Sequence, residues 1–192
     1  MREAIAEDLI YIDEYDLLGS EYYWDNHARY NISEEEFAEI GMMGNRVLAH
    51  RDIIQALKRA DSQFQKDGMR LYIKEGYRSP DLYKLIFRKR NEKFGEKDTG
   101  RILNFTDQPH ATGKAVDIAP WDPIGKKEIP TKKKGDGIES MLIDFYKGKV
   151  DPESLRYQKL QNFMIRTMLS NGFYIGKLRE YFHFNYFPLS DY

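Results

Sequence analysis

The sequence predicts an α+β fold: a small, mostly antiparallel sheet flanked by helices, in a single domain spanning residues 1–192. Three observations point there. Two long segments, 45 to 66 and 153 to 170, carry apolar residues at helical spacing. Short runs such as Met69-Arg70-Leu71-Tyr72-Ile73 and Phe173-Tyr174-Ile175 read as strands. The 14 tyrosines and 11 phenylalanines suit a core shared by sheet and helices. A chain of 192 residues can bury a sizeable core.

Taken in order, Leu9-Ile10-Tyr11-Ile12 reads as a strand. Tyr22-Tyr23-Trp24-Asp25-Asn26 reads as a loop edged with aromatics, of the kind that covers a cleft. Ser33 followed by Glu36 forms a capping box, so a short helix starts there and Gly41 and Gly44 interrupt it. The helix over 45 to 66 turns Val47, Leu48, Ile54, Leu57, Ala60 and Phe64 inward, with Gly68 at its cap. A strand over Met69 to Ile73 ends at Gly76-Tyr77-Arg78. Ser79 and Pro80 suit the N-cap and first position of a helix that runs to about Gly95. Residues 95 to 107 read as a polar loop. After Asp117, three prolines and Lys132-Lys133-Lys134-Gly135 mark a long irregular excursion. Residues 137 to 147 read as helical. The helix over 153 to 170 presents Leu155, Leu160, Phe163, Met164, Thr167 and Met168 inward. Strands at Phe173 to Ile175 and Tyr181 to Phe187 complete the sheet.

Composition removes whole classes of function. A net charge of -1 leaves no electrostatic footprint for nucleic acid, and the lysines at 132 to 134 are too isolated to supply one. There is no cysteine, which excludes disulfides and thiolate metal sites. No apolar run reaches the roughly 20 residues of a membrane span. The start, Met1 to Asp8, is too acidic for a signal peptide, so a cytoplasmic location is expected. Nothing in the sequence specifies an oligomer.

Without thiolates, a metal must be held by His, Asp or Glu, and the histidines are at 27, 50, 110 and 183 alone. His50 falls within the 45 to 66 helix and His27 in the tyrosine-rich loop, and neither is given a role. The informative stretch is Gln108-Pro109-His110-Ala111-Thr112-Gly113-Lys114-Ala115-Val116-Asp117. His110 and Asp117 carry good zinc ligand atoms, and Gly113 permits a sharp turn between them. Ala115 to Ala119 reads as a buried strand, in which an aspartate requires a partner. His183 in Glu180-Tyr181-Phe182-His183 completes a three-ligand zinc site with an open position. Glu180 is the candidate general base. Side chains three apart on a regular strand face opposite ways, so Glu180 is expected in the turn before the strand or at a bulge. Arg78, at a strand-to-helix corner, is the candidate oxyanion stabiliser. Singly, each residue has a bland alternative: a surface ion pair for Arg78, a solvated turn for Glu180, a core strand for 181 to 187.

The combination resembles the zinc D-alanyl-D-alanine peptidases, the family of the vancomycin-resistance dipeptidases, related D,D-carboxypeptidases and certain phage endolysins. That family's pattern is Ser-x-His-x-x-Gly-x-Ala-x-Asp, then Glu-x-x-His, with Tyr-Arg upstream; here these are residues 108 to 117, 180 to 183, and Tyr77-Arg78. The resemblance implies His110, Asp117 and His183 as zinc ligands, Glu180 as base and Arg78 as transition-state stabiliser. It implies a substrate-carboxylate contact at Gln108, where the pattern has Ser. It also implies an acid that binds the substrate's free amine. Gly135-Asp136-Gly137-Ile138-Glu139 fits that segment loosely, with Glu139 in the acid's place and Asp136 as competitor. Tyr181-Phe182 stands where the family has a Trp pair, and Tyr77-Arg78-Ser79 reads more like the carboxypeptidase branch.

The function expected is therefore hydrolysis of D-Ala-D-Ala, or a closely related small cell-wall D,D-peptide, by a zinc-dependent dipeptidase. The alternatives are a D,D-carboxypeptidase or endolysin on longer peptides, and a zinc-bearing interaction module without catalysis. Glu180 and Arg78 argue against the last, since such a module needs no base beside its metal.

Overall fold

The computed structural model describes residues 3–187, so Met1 and Arg2 of the N-terminal stretch lie outside the described residues. Its elements are β1 (Leu9–Tyr11), β2 (Leu18–Gly19), α1 (Tyr22–Asp25), α2 (His27–Tyr30), α3 (Glu34–Glu39), β3 (Leu48–His50), α4 (Ile54–Lys66), β4 (Arg70–Glu75), α5 (Pro80–Phe94), α6 (Glu96–Ile102), β5 (Ala115–Asp122), β6 (Lys127–Glu128), α7 (Pro152–Ser170), β7 (Phe173–Ile175) and β8 (His183–Tyr186). The main sheet has the order β2-β4-β5-β8-β7, with β6 paired to β5. Only its β2–β4 pair is parallel. A second, two-stranded sheet joins β1 and β3. The fold is α+β, as the periodicities predict.

The sheet's two faces follow from the period-two alternation of strands. Leu71, Ile73, Val116, Ile118 and Phe184 enter a core closed by Leu57, Ala60 and Phe64 of α4 and Met164 and Met168 of α7. The rings of Phe64 and Phe163 meet edge to face at 4.9 Å between these helices. Asp117, Ala119, His183 and Asn185 fall on the opposite face and line a cavity. A second apolar cluster under α1, α3 and α5, including Tyr23, Phe37, Tyr83 and Ile86, supports the cavity's far wall.

Local signals hold where the chemistry is short-range. Ser33 and Glu36 make a reciprocal capping box. Ser79 Oγ accepts from Leu82 N, with Pro80 opening α5. Other expectations need correction. The helix placed at 45 to 66 begins only at Ile54; Leu48 and Ala49 belong to β3, and His50 ends that strand, paired opposite Leu9. Cross-strand pairing with β1 overrides the helical spacing of Val47 and Leu48. Residues 95 to 107 contain α6, which follows a left-handed Gly95 (φ 81°) and has no apolar stripe to announce it. Residues 137 to 147 form one 3-10 turn at Ile138–Met141 rather than a helix, and Asp144 at φ 68° breaks the run. The stretch after Asp117 is partly ordered, because β5 continues to Asp122 and turns back into β6, with Asp122 Oδ1 accepting from Ile124 N and Gly125 N. Tyr22 to Asp25 is a helical turn rather than a loop, though Tyr22 and Tyr23 do line the cavity. Leu155 is half exposed, because the buried stripe of α7 runs through Ser154, Tyr157, Gln161, Met164 and Met168.

Asp61 ties α4 to β4. It is buried, and its carboxylate accepts from Arg70 Nε (2.9 Å), Leu71 N (2.7 Å) and Gln65 Nε2 (2.7 Å). Removing one partner of a buried pair strands the other, at a cost of about 3–5 kcal/mol. Asp61→Ala should destabilise the protein by about that amount in urea unfolding. A loss below about 1 kcal/mol, the range of exposed pairs, would show that the junction is held by apolar packing alone.

Candidate metal centre

The centre is a row of neighbours across three strands. Glu75 of β4 lies opposite Asp117 of β5, which lies opposite His183 of β8. The first pairing depends on a bulge. Between Ile73, opposite Ile118, and Glu75, opposite Asp117, β4 carries one residue more than its partner. Lys74 and Glu75 consequently both line the cavity, although consecutive strand residues ordinarily face opposite ways. His110 arrives from a 3-10 turn, Pro109–Thr112, bounded by Gln108 (φ 43°) and Gly113 (φ 67°), both left-handed. At Gly113 a Cβ would come within 2.9 Å of Leu9 and 3.1 Å of the His50 nitrogen, so the turn needs glycine for space as well as for φ.

Three ligand atoms converge. His183 Nδ1 is 2.8 Å from Asp117 Oδ1, His110 Nε2 is 3.2 Å from His183 Nδ1, and His110 Nε2 is 3.5 Å from Asp117 Oδ1. Ligands at zinc distances in tetrahedral array lie roughly 3.3 Å apart, so the group fits such an ion. A buried His110/Asp117/His183 group could hold a metal ion. The second nitrogen of His110 supports this reading. Nδ1 donates to the Gly76 carbonyl at 2.8 Å, which fixes the tautomer and leaves Nε2 as the lone-pair nitrogen. The backbone of His110 is held by Tyr83, whose hydroxyl accepts from His110 N at 3.1 Å. Burial would raise the Asp117 carboxyl, but the charges and hydrogen bonds of His110 and His183 outweigh it and hold the group well below the usual carboxylate range.

Glu180 stands before β8, in a single bridge to Leu142, and lines the same cavity. It is buried, and desolvation together with the Asp117 charge raises its carboxyl to about 8, against smaller opposing pulls from His183, Arg78 and Arg90. Arg78 also lines the cavity and is buried, in a bidentate pair with Glu75: Nε to Oε1 at 2.7 Å and Nη2 to Oε2 at 2.5 Å. Its guanidinium lies over the Tyr83 ring at 4.4 Å and the Tyr23 ring at 5.4 Å. Burial works against its charge, and the neighbouring Glu75 more than restores it. Glu75 and the two tyrosines were missed in the sequence; an acid three residues before Arg78, at the end of a strand, was the available signal.

The substrate-contact residues fare differently. Gln108 and Glu139 are not among the residues that line the cavity, and Glu139 is exposed. Asp136 is engaged elsewhere, its carboxylate accepting from the Tyr146 hydroxyl at 2.6 Å. His27 and His50 are likewise apart from the group. His27 Nδ1 meets the Trp24 carbonyl, and His50 Nδ1 accepts from Asp52 N.

No family model matches the sequence, and no curated protein does. Among solved structures the chain is similar to the LdcB LD-carboxypeptidase, described as revealing the molecular basis of peptidoglycan recognition. The TM-score is 0.47 and the identity 20%, over 72% of this chain and 59% of that one, so the match spans less than two thirds of that protein.

Two outcomes follow from this geometry. A Cβ at Gly176 would lie 2.3 Å from His183 Cδ2, so Gly176→Ala should push the ring out of place and lower zinc affinity by about 10–100-fold, as loss of a supporting contact does, with all ligands present. Competition with a chromogenic chelator measures it, and unchanged affinity would mean that His183 does not depend on that wall. His110→Ala, Asp117→Ala and His183→Ala should each lose the metal outright. The second outcome concerns pH. A carboxyl whose folded value is raised from 4.5 to about 8 binds its proton more tightly in the folded state. In chelated protein that contribution is full below pH 4.5 and is lost as pH rises through 8. Glu180→Gln should flatten this limb, gaining on the order of 3 kcal/mol over the parent at pH 9 and little at pH 4. Parallel stability–pH curves for the two proteins would show that Glu180 keeps its ordinary titration.

Proposed function

We propose that the chain is a zinc-dependent peptidase that hydrolyses a D-Ala-D-Ala dipeptide or a closely related cell-wall D,D-peptide. The observation that carries this is the convergence of the His110, Asp117 and His183 ligand atoms in a cavity that Glu180 and Arg78 also line. A bound zinc ion would supply Lewis acidity and a water acidic enough to lose a proton near neutral pH. Glu180 accepts the proton of the attacking water and delivers it to the departing amine. Its buried setting keeps its proton affinity near that of the groups it serves. Arg78 turns two nitrogens to Glu75 and is thereby held rigid, so its remaining terminal nitrogen meets the developing oxyanion without reorganising. The stacked tyrosines exclude water from that side and strengthen the charge interaction.

One observation favours a second reading within the same chemistry. Neither Glu139 nor Asp136 lines the cavity, so no acid of that loop stands where a free substrate amine would need it. This suits a D,D-carboxypeptidase acting on acylated or longer peptides.

The test is zinc-loaded protein incubated separately with D-Ala-D-Ala and with an N-acylated D-Ala-D-Ala. Cleavage of the first supports the dipeptidase, and cleavage of the second alone supports the carboxypeptidase. A protein that binds zinc and cuts neither sinks the proposal and leaves a non-catalytic module. On whichever peptide is cleaved, Glu180→Gln should keep its zinc and lose roughly 10²–10⁴-fold in turnover. Arg78→Ala should keep zinc and lose on the order of 3 kcal/mol of transition-state stabilisation. The two losses should combine to less than their sum, because both groups serve one transition state. Near-normal turnover in Glu180→Gln would remove it as the base.

A further inference from the structure

The cavity of about 890 Å³ has an end of opposite character to the metal group, built by α1, α2 and the last turns of α5. There Arg90 lines the wall with only 6% of its surface exposed. Its Nη1 donates to the hydroxyls of Tyr30 (3.3 Å) and Tyr23 (3.4 Å), while Nε meets no partner. Its guanidinium lies 5.4 Å from the ring centres of both Tyr30 and Phe94. Arg29, exposed at the same end, lies over the same Tyr30 ring at 5.7 Å and donates to the Tyr22 hydroxyl at 3.3 Å. Lys93 donates to the Arg29 carbonyl and sits 5.6 Å from the Phe94 ring. Among the described residues, no ion pair joins a carboxylate to Arg29, Arg90 or Lys93; Asp98, which lines the same cavity, has an interaction of its own.

This is an unusual balance. A buried guanidinium is normally matched by an acid, as Arg78 is by Glu75 in the same cavity. Tyrosine hydroxyls and ring faces offset part of the cost of burying Arg90, but they do not neutralise it. Arg29 and Lys93 add like charge at the same place. What such a group lacks is an anion, and the planar fork of a guanidinium fits a carboxylate.

We propose that this end of the cavity is a carboxylate subsite, in which Arg90, assisted by Arg29, takes an acidic group of the peptide. That the ligand is a peptide rests on the peptidase reading above; that the site takes an anion rests on the residues alone. The acidic group is either the peptide's terminal carboxylate or that of an acidic side chain upstream of the bond.

Uncleavable ketomethylene analogues of an acyl-D-Ala-D-Ala peptide, titrated calorimetrically into zinc-loaded protein, separate these. One analogue ends in a free carboxylate, one in a carboxamide, and one in a carboxamide with a glutamate upstream. One of the two carboxylate probes should bind about 10–100-fold more tightly than the neutral one, the worth of a hydrogen-bonded charge pair, and that probe identifies the source. Arg90→Gln should reduce the preference to under about 3-fold while leaving affinity for the neutral probe unchanged, and Arg90→Lys should restore part of it. Arg29→Gln, at an exposed position that does not endanger folding, should lower the preference by about 3-fold. Equal binding of all three probes by the parent, or a preference that survives both substitutions to glutamine, overturns the subsite. Cleavage of the parent peptides is scored separately. Carboxylate preference without cleavage sinks the peptidase reading alone, and cleavage without preference sinks the subsite alone.

Discussion

Asp117 is the group on which the arrangement turns. It sits on a central strand, with Glu75 opposite on one side and His183 opposite on the other. A carboxylate there is tolerable only if donors or cations surround it. The two histidines meet that need at short range, and a dication would meet it more fully. Each histidine is in turn fixed by something outside the row: His110 by the Gly76 carbonyl and the Tyr83 hydroxyl, His183 by the close wall at Gly176. The buried charge and the supports around it form one unit, and the surrounding fold delivers those supports to one face of the sheet.

The two buried arginines of the cavity show how one residue type can be used in opposite ways. Arg78 is saturated by Glu75, stacked on two rings and immobile. Arg90 is stacked as well, but it is bonded only to hydroxyls. The first is a finished ion pair whose charge is spent internally except at one nitrogen. The second keeps its charge for something else. The metal group and Glu180 line the same cavity, so a peptide laid through it would pass from a cationic end to a centre rich in acids.

How much of this could be read beforehand depended on the range of the forces involved. The capping box at Ser33, the Pro80 start of α5 and the strand at β4 rest on neighbours in sequence, and they were legible. The grouping of His110, Asp117 and His183 was legible because donor types at fixed spacing are rare in a chain with four histidines and no cysteine. The start of α4 was not, because Leu48 and Ala49 pair with β1, almost 40 residues away, and long-range pairing decides against local periodicity. Glu75 was hidden for a different reason. Read with strict alternation, it belongs on the face of Leu71 and Ile73, and only the bulge at Lys74 moves it. The cationic end went unread because tyrosines and arginines spread over three separate helices have no spacing to detect.

That bulge also divides β4 into two parts with separate duties. Up to Ile73 the strand answers to the core, where shape and volume matter; after it, the strand answers to the cavity, where charge matters. In an uninterrupted strand a slip of one residue exchanges every side chain between faces. Here the exchange is confined to the last residue of the strand, Glu75. The length of chain between Ile73 and Gly76 is therefore a setting in its own right. Removing one residue from it would leave the core sequence intact and shift Gly76 and Arg78, whose backbones hold His110, relative to β5. Variation in this protein should accordingly be freer in the identity of residues before the bulge than in the number of residues after it.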